Sequence, residues 1–383
     1  MLRVLTLSTL YPDPVRPSFG IFVERQTRAL AAREGVEVDV VSPVGLPPWP
    51  LTRHPHYRQR AGLEALDRRH GLAVHRPRFR IWPGLSGAGA ARSLAAAVLP
   101  LARDLRPDVI DAEFFWPDGV AAMHLAEALG LAFSVKARGS DIHFWGESPA
   151  ARAQLLDAAR KASGLLAVSA ALKADMAAMG MPEEKIRVHY TGVDLERFRP
   201  TDRPAARRRL GIEGPLIVTP GNLVALKGQR LAIEALARLP EATLLIAGEG
   251  PERPALEALI AARGLSPRAR LLGGVPPEAM PELLAAADLM LLPSEREGLA
   301  NVWIESIASG TPILVADVGG AREVLDRPEA GRLVEREAGA IASAAREMLA
   351  SPPDPAAVRR SAERFSWERN GAELHEHLAG LAS

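Results

Sequence analysis

Residues Ala287 to Pro312, ADLMLLPSEREGLANVWIESIASGTP, decide the fold. Leu289 to Leu292 is a short unbroken apolar run followed by Pro293, the pattern of a strand buried on both faces of a parallel sheet. Gly298 breaks the polar loop that follows. Leu299 to Ser309 then shows helical spacing through Val302, Ile304, Ile307 and Ala308, until Gly310 ends it and Thr311-Pro312 forbids its continuation. A strand, a turn and a helix in that order aim the backbone N–H groups of Gly298, Leu299 and Ala300 out of the sheet's carboxyl edge. The positive helix end stands behind them, which is where phosphates bind. Glu297 lies at the turn and Glu305 about two helical turns on. One carboxylate is thus expected beside the phosphate and the other within reach of a neighbouring sugar's hydroxyl pair.

The chain is 383 residues long with 48% hydrophobic residues, which suits two domains of similar size rather than one core. Its net charge of +1 supplies no field for nucleic acid. The absence of Cys excludes disulfides, thiolate metal sites and a thiol nucleophile. The opening MLRVLTLSTLYPDP reads as a first buried strand rather than a signal peptide. No window approaches about 18 apolar residues, so a cytoplasmic enzyme is expected.

Strand-like runs alternate with helical ones from the start. Val4 to Ser8, a loop ending at Gly20, a helix from Ile21 to about Arg33 and Val36 to Val41 form a right-handed βαβ unit. Pro47 to Arg80 reads as irregular and basic, with Trp49, Leu51, Ile81 and Trp82 flanking it. It is either a solvated arginine face or a peripheral contact with anionic lipid or an acidic, lipid-linked acceptor. Strand Ala132 to Lys136 runs into Arg138-Gly139-Ser140-Asp141, at the edge where an open α/β sheet places ligands. There Arg138 is expected to meet phosphate or a sugar hydroxyl with Asp141 orienting it. Arg199 to Arg209, RPTDRPAARRR, reads as the boundary between domains.

The alternation restarts with Leu216 to Thr219 and the loop PGNLVALKG, Pro220 to Gly228. Lys227, one of five lysines, stands where a cation meets a diphosphate. Thr243 to Ala247 leads into Gly248-Glu249-Gly250-Pro251. Gly319-Gly320, ahead of another helix start, is a second place for close approach to an anion.

Assembled, these residues resemble the family 4 retaining glycosyltransferases of GT-B architecture: α/β, with two Rossmann-like doubly wound domains facing across a cleft. The resemblance covers nearly the whole chain and is strongest from Pro220 to Val334. It is carried by Gly20, Arg138 to Asp141, Ser169 to Lys173, Gly192-Val193-Asp194 with Phe198, Gly221 to Gly228, Gly248 to Pro251, and Glu297 with seven residues before Glu305.

The resemblance implies an acceptor-binding domain over 1–199, a nucleotide-sugar domain over 200–365, and a final helix over 366–383 folding back on the first. The donor is a nucleotide diphosphate sugar, UDP- or GDP-linked. Lys227 would lie on its diphosphate, Glu305 on the ribose, and Glu297 with neighbouring backbone near the transferred sugar. Lys227, Glu297, Arg138 and Asp141 are the expected catalytic set. Gly20, Gly221, Asn222, Glu249, Gly250, Ser294, Gly298, Leu299, Ala300 and Glu305 join Lys227 in donor binding. No metal or other cofactor is required, and no Asp-x-Asp motif is present to hold one.

Asn222 stands where the family usually carries Arg, and Arg138 where many members carry His. The acceptor would be a glycan or lipid-linked hydroxyl, met in the cytoplasm or peripherally at the membrane's cytoplasmic face. A nucleotide-sugar-binding protein without activity is the alternative. An NAD-dependent oxidoreductase is disfavoured because neither half has Gly-x-Gly-x-x-Gly after its first strand. A P-loop kinase is disfavoured because Lys227 is not followed by Ser or Thr.

Overall fold

The computed structural model describes residues 1–82 and 89–382. The chain divides into two units, Met1–Gly192 with Trp367–Ser383, and Val193–Ser366.

In the first unit, β1 (Leu2–Leu7), β2 (Val36–Val41), β7 (Val109–Ala112), β8 (Ala132–Ala137), β9 (Gly164–Ala167) and β10 (Ile186–Val188) run parallel. Between β2 and β7 come β3 (Val44–Leu46), β4 (Leu66–Arg69), β5 (Leu72–His75) and β6 (Arg78–Arg80). The main sheet has the order β10-β9-β8-β7-β1-β2-β5-β4, and β3 pairs with β6 separately. Pro47 to Arg80 is therefore built, not irregular. It holds a helix, Pro55–Ala61, and an antiparallel β4–β5 hairpin. Nor do its basic residues form one solvated face. Arg76 is buried on Pro12 O and Asp67, Arg69 pairs with Glu24 at 2.9 Å, and Arg78 donates to the carbonyls of Ala61 and Leu63.

In the second unit, β11 (Leu216–Pro220), β12 (Thr243–Ala247), β13 (Ala269–Gly273), β14 (Leu289–Leu292), β15 (Ile313–Val315) and β16 (Gly331–Leu333) form an all-parallel sheet of order β13-β12-β11-β14-β15-β16. All four residues of β14 are buried, as the LMLL run requires of a strand covered on both faces. The helix after it is Asn301–Ala308, shorter than its apolar spacing indicated, because Leu299 and Ala300 belong to the turn. The core of this unit joins Ile217, Leu244, Leu289 and Leu314 from the strands to Ile233, Leu236 and Ile341 from the helices.

The segment read as a boundary is a helix, Arg203–Leu210. Asp202 caps it by accepting from Ala205 N at 3.0 Å, and Ala206 is fully buried. By its contacts it belongs to the second unit, which begins at Val193.

The last helix, Trp367–Ala382, lies on the first unit and buries Leu374 and Leu378 against Val4, Leu30 and Val38. Polar contacts fix its register. Asn370 Nδ2 donates to Tyr190 O at 2.6 Å, and His377 Nε2 meets Ser134 Oγ at 2.8 Å. Among the described residues no helix is long and apolar enough to cross a membrane.

His377 gives this anchorage a pH dependence. Burial, reinforced by the charges of Arg187 and Lys136, pushes the imidazole down to about 4. A lowered folded pKa means the unfolded chain takes up the proton first. The stabilisation is therefore complete above the unfolded value of about 6.5 and fades as pH falls toward 4. His377→Gln keeps a partner for Ser134 but cannot charge. Thermal unfolding of this variant should fall less steeply than wild type between pH 6.5 and 4, a difference of up to about 3 kcal/mol. Parallel curves would refute the assignment.

Candidate active site

In the second unit the chain builds β11, β12 and β13 outward on one side and β14, β15 and β16 on the other. The loops leaving β11 and β14 diverge, and the crevice between them is where an open parallel sheet takes ligands. Backbone contacts hold its two lips together. Glu295 N donates to Leu226 O at 2.7 Å, and a Cβ on Gly228, at φ +75°, would lie 2.5 Å from Pro293 O. Lys227 and Glu297 face each other across this crevice, Nζ to Oε1 at 2.5 Å, with side chains 21% and 10% exposed. The ammonium predicted to meet a diphosphate is thus neutralised, in the chain alone, by one of the two predicted carboxylates.

The remaining predicted donor residues of this unit lie on the loops at the same sheet edge and on the helix Asn301–Ala308. Leu223 N donates to Glu249 O at 2.8 Å and Gly221 N to Ala247 O at 2.9 Å, lacing the Gly221–Gly228 loop to the Gly248–Gly250 loop. Asn222 is exposed, and its carbonyl accepts from Gln229 Nε2 at 3.0 Å. Ser294 is fully buried at the end of β14 with its hydroxyl unpartnered. Gly298, Leu299 and Ala300 lead into the helix Asn301–Ala308, which has no side-chain cap, so its first turn keeps its positive end open to an anion. Glu305 lies half-buried on that helix.

The Gly319-Gly320 turn closes the far side. Gly320 N donates to Gly298 O at 2.8 Å, and a Cβ on Gly319, at φ +50°, would fall 2.2 Å from Glu297 O. Four loops from one sheet edge therefore converge on one ammonium, one carboxylate and an uncapped helix start.

Gly20, Arg138 and Asp141 belong to the first unit. Gly20 is the N-cap of the helix Ile21–Ala31. Asp141 is fully buried and accepts from the backbone N–H groups of Arg138, Gly139 and Phe115 at 2.8–3.2 Å. It orients the turn, but through Arg138's backbone rather than its guanidinium. Burial raises its carboxyl above the usual range, against those donors.

The Arg138 side chain, only 6% exposed, pairs instead with Glu113 and lies over the Phe22 ring at 4.8 Å, while Nε and Nη1 have no hydrogen-bond partner. A buried network reaches it from the last helix. His189 Nε2 donates to Asn370 O at 2.9 Å, so the neutral ring's Nδ1 accepts from Lys136 Nζ at 2.9 Å. Lys136 also donates to Gln26 Oε1 at 2.6 Å, and Gln26 donates to Glu113. Burial drives both Lys136 and His189 well below their ordinary pKa values. Sequence reading did not single out Gln26, Glu113, Lys136 or His189. The available signal was a lysine inside the apolar strand AFSVKA.

With this geometry in place, the likenesses to known proteins are informative. Residues 20–197 match the model described as Glycosyltransferase Family 4, and residues 202–365 the model described as Glycosyl transferases group 1. A Bacillus subtilis (strain 168) protein named as a teichuronic acid biosynthesis glycosyltransferase, TuaC, is 30% identical over 90% of this chain and 88% of its own. Among solved structures, sucrose-phosphate synthase from Thermosynechococcus elongatus superposes with a TM-score of 0.83 at 19% identity, covering 100% of this chain and 99% of its own. Anabaena HepE in complex with UDP-glucose superposes at 0.77 and 21% identity, over 100% of both chains. The chain belongs to glycosyltransferase family 4 and has the GT-B fold.

Proposed function

We propose that this glycosyltransferase moves a hexosyl group from a UDP- or GDP-linked sugar to a hydroxyl of a glycan or lipid-linked acceptor, with retention at the anomeric carbon and without a metal. The observation that carries the reading is the Lys227–Glu297 pair across the β11/β14 crevice, backed by the uncapped helix start. A diphosphate entering there takes the ammonium from Glu297 and lies against the helix N-terminus, leaving the carboxylate beside the sugar. Uridine is supported by HepE, a protein of the same fold that was solved with UDP-glucose.

In the proposed reaction the bond from anomeric carbon to phosphate oxygen breaks and its electron pair goes to the diphosphate. Lys227 and the backbone of Gly298 to Ala300 stabilise that charge. The acceptor oxygen bonds to the anomeric carbon from the face just vacated, and its proton passes to a β-phosphate oxygen. Arg138, with two donors uncommitted, is assigned to the sugar or its phosphate, and Asp141 to holding the turn that presents it.

The proposed location is cytoplasmic. The exposed Arg53, Arg58, Arg68 and Arg80, with Trp49 and Leu51, are the groups assigned to peripheral contact with anionic lipid.

Thermal-shift titration with UDP- and GDP-sugars, followed by product analysis on lipid extracts, tests the reading. Donor binding with neither transfer nor hydrolysis would establish a binding protein instead. Lys227→Ala should lower turnover about 100- to 1,000-fold. EDTA should leave the rate unchanged, and the product should keep the donor's anomeric configuration. Gly319→Ala should displace the Glu297–Gly298 backbone and weaken UDP-sugar binding by roughly tenfold, about 1–3 kcal/mol of strain. Unaltered binding in that variant would show that this turn does not shape the site.

A further inference from the structure

Pro293 follows β14 directly, and the ladder of β14 with β15 stops at Leu292 opposite Val315. Pro293 is buried, so its carbonyl needs a donor that no neighbouring strand supplies. On one side there is no room for water, because a Cβ added to Gly228 would already lie 2.5 Å from that oxygen. The donor is Arg336, whose Nε reaches Pro293 O at 3.0 Å from beyond β16.

Arg336 is itself held from both sides. Val334 N donates to Val315 O at 2.9 Å and prolongs the β15–β16 ladder. Glu337 caps the helix Ala338–Ala350 by accepting from Gly339 N and Ala340 N at 3.0 and 2.9 Å, and Ile341, Ala342 and Ala345 seat that helix in the core. Only Glu335 and Arg336 lie between these anchors, so fixed backbone delivers the guanidinium to Pro293. Its other neighbour, Glu295 at 3.7 Å, is 64% exposed and adds little.

Pro293 opens the segment that runs through Glu297 to Gly298. Hydrogen bonds hold this segment at its start by Arg336, in its middle where Glu295 N donates to Leu226 O at 2.7 Å, and at its end where Gly320 N donates to Gly298 O at 2.8 Å. The middle bond joins the segment to the Lys227 loop across the crevice and cannot fix it to its own half of the sheet. Arg336 does that at the strand end, and Gly320 at the helix start. Glu297 meets Lys227 between these two supports, of which the first is made by a side chain.

We infer that Arg336 is a positioning residue of this site: by donating to Pro293 O it fixes the segment carrying Glu297 and sets that carboxylate against the Lys227 ammonium. Its effect on turnover rests on the transferase reading given above; its effect on the pair does not.

The pair can be read without substrate. The chain has five lysines, so isotope-labelled methyl groups on their nitrogens give few resonances, and Lys227→Arg identifies the one from Lys227. Arg336→Met keeps the apolar stem and removes every donor. In it the Lys227 resonance should move toward its position in Glu297→Gln. In Arg336→Lys, which keeps a donor for Pro293 O, it should stay near wild type. A Lys227 resonance unmoved in Arg336→Met, or moved as far in Arg336→Lys, overturns the proposal. With a UDP-sugar that the chain turns over, Arg336→Met should lower kcat about tenfold and change KM by less than about twofold, since one charge-assisted hydrogen bond is lost from the support of the site and none from the substrate. Glu295→Gln should keep kcat. In a Glu297→Ala background, Arg336→Met should cost no more than about twofold, and the same tenfold loss in both backgrounds would show that Arg336 acts elsewhere. A chain that turns over no nucleotide sugar sinks the transferase reading, while the Lys227 resonance still decides the role of Arg336.

Discussion

The geometry of the candidate site in the second unit depends on a single constraint: six parallel strands all end at the same edge, and their order reverses between β11 and β14. Parallel strands need crossovers, so every loop that can carry chemistry emerges on the carboxyl side. The reversal separates two of those loops and leaves a gap that neither helix layer fills. Residues 70 positions apart, Lys227 and Glu297, meet in that gap. Glycines then decide how close the loops come. At Gly228 and Gly319 a side chain would collide with the backbone of the β14 loop, so the crevice stays narrow only because these positions lack one.

Much of this was legible in the residues. The LMLL run, the glycine after Glu297 and the Gly310-Thr-Pro stop define a strand, turn and helix whose placement follows from apolar period and breakers alone. What escaped is instructive. In Leu66 to Arg69 charged residues occupy three of the four strand positions, so no alternation shows. The signal was the two-residue turn His70-Gly71, whose φ angles of 49° and 85° are those of a hairpin. Arg203 to Leu210 read as part of a domain boundary because the run is polar, contains Pro and shows no core residues. Arg207 and Arg203 in fact reach Asp288, and Arg207 Nε donates to Ala286 O at 2.9 Å, partners far along the chain.

The site residues divide the same way. Positions on loops were readable because loop chemistry is local, but side-chain partners were not. Arg138 and Asp141 look like an ion pair three residues apart, yet the short Asp side chain turns back to backbone donors and the guanidinium goes to Glu113. That preference is physical. Three backbone N–H groups around a buried carboxylate satisfy it more fully than one guanidinium edge, and Glu113 otherwise lies buried without a cation. Lys136 shows the reverse case, a buried amine supported by neutral partners, Gln26 and His189, rather than an acid. A chain of such bonds runs from Asn370 in the last helix to Arg138, so the helix that closes the first unit also helps to fix the rotamer of this buried cation.

The Lys227–Glu297 pair has a consequence for selectivity. An ammonium only 21% exposed is costly without a counter-charge, and Glu297 supplies one in the chain alone. A ligand that takes over the ammonium must then carry enough negative charge to compensate for a carboxylate left beside it. A neutral sugar cannot do so. A monophosphate does so poorly, whereas a diphosphate brings two charges and oxygens for both the ammonium and the helix N-terminus. In the proposed reaction the pair would therefore act as a filter as well as a support. On the same proposal the freed carboxylate would stand where the bound sugar's positive charge develops as its bond to phosphate lengthens.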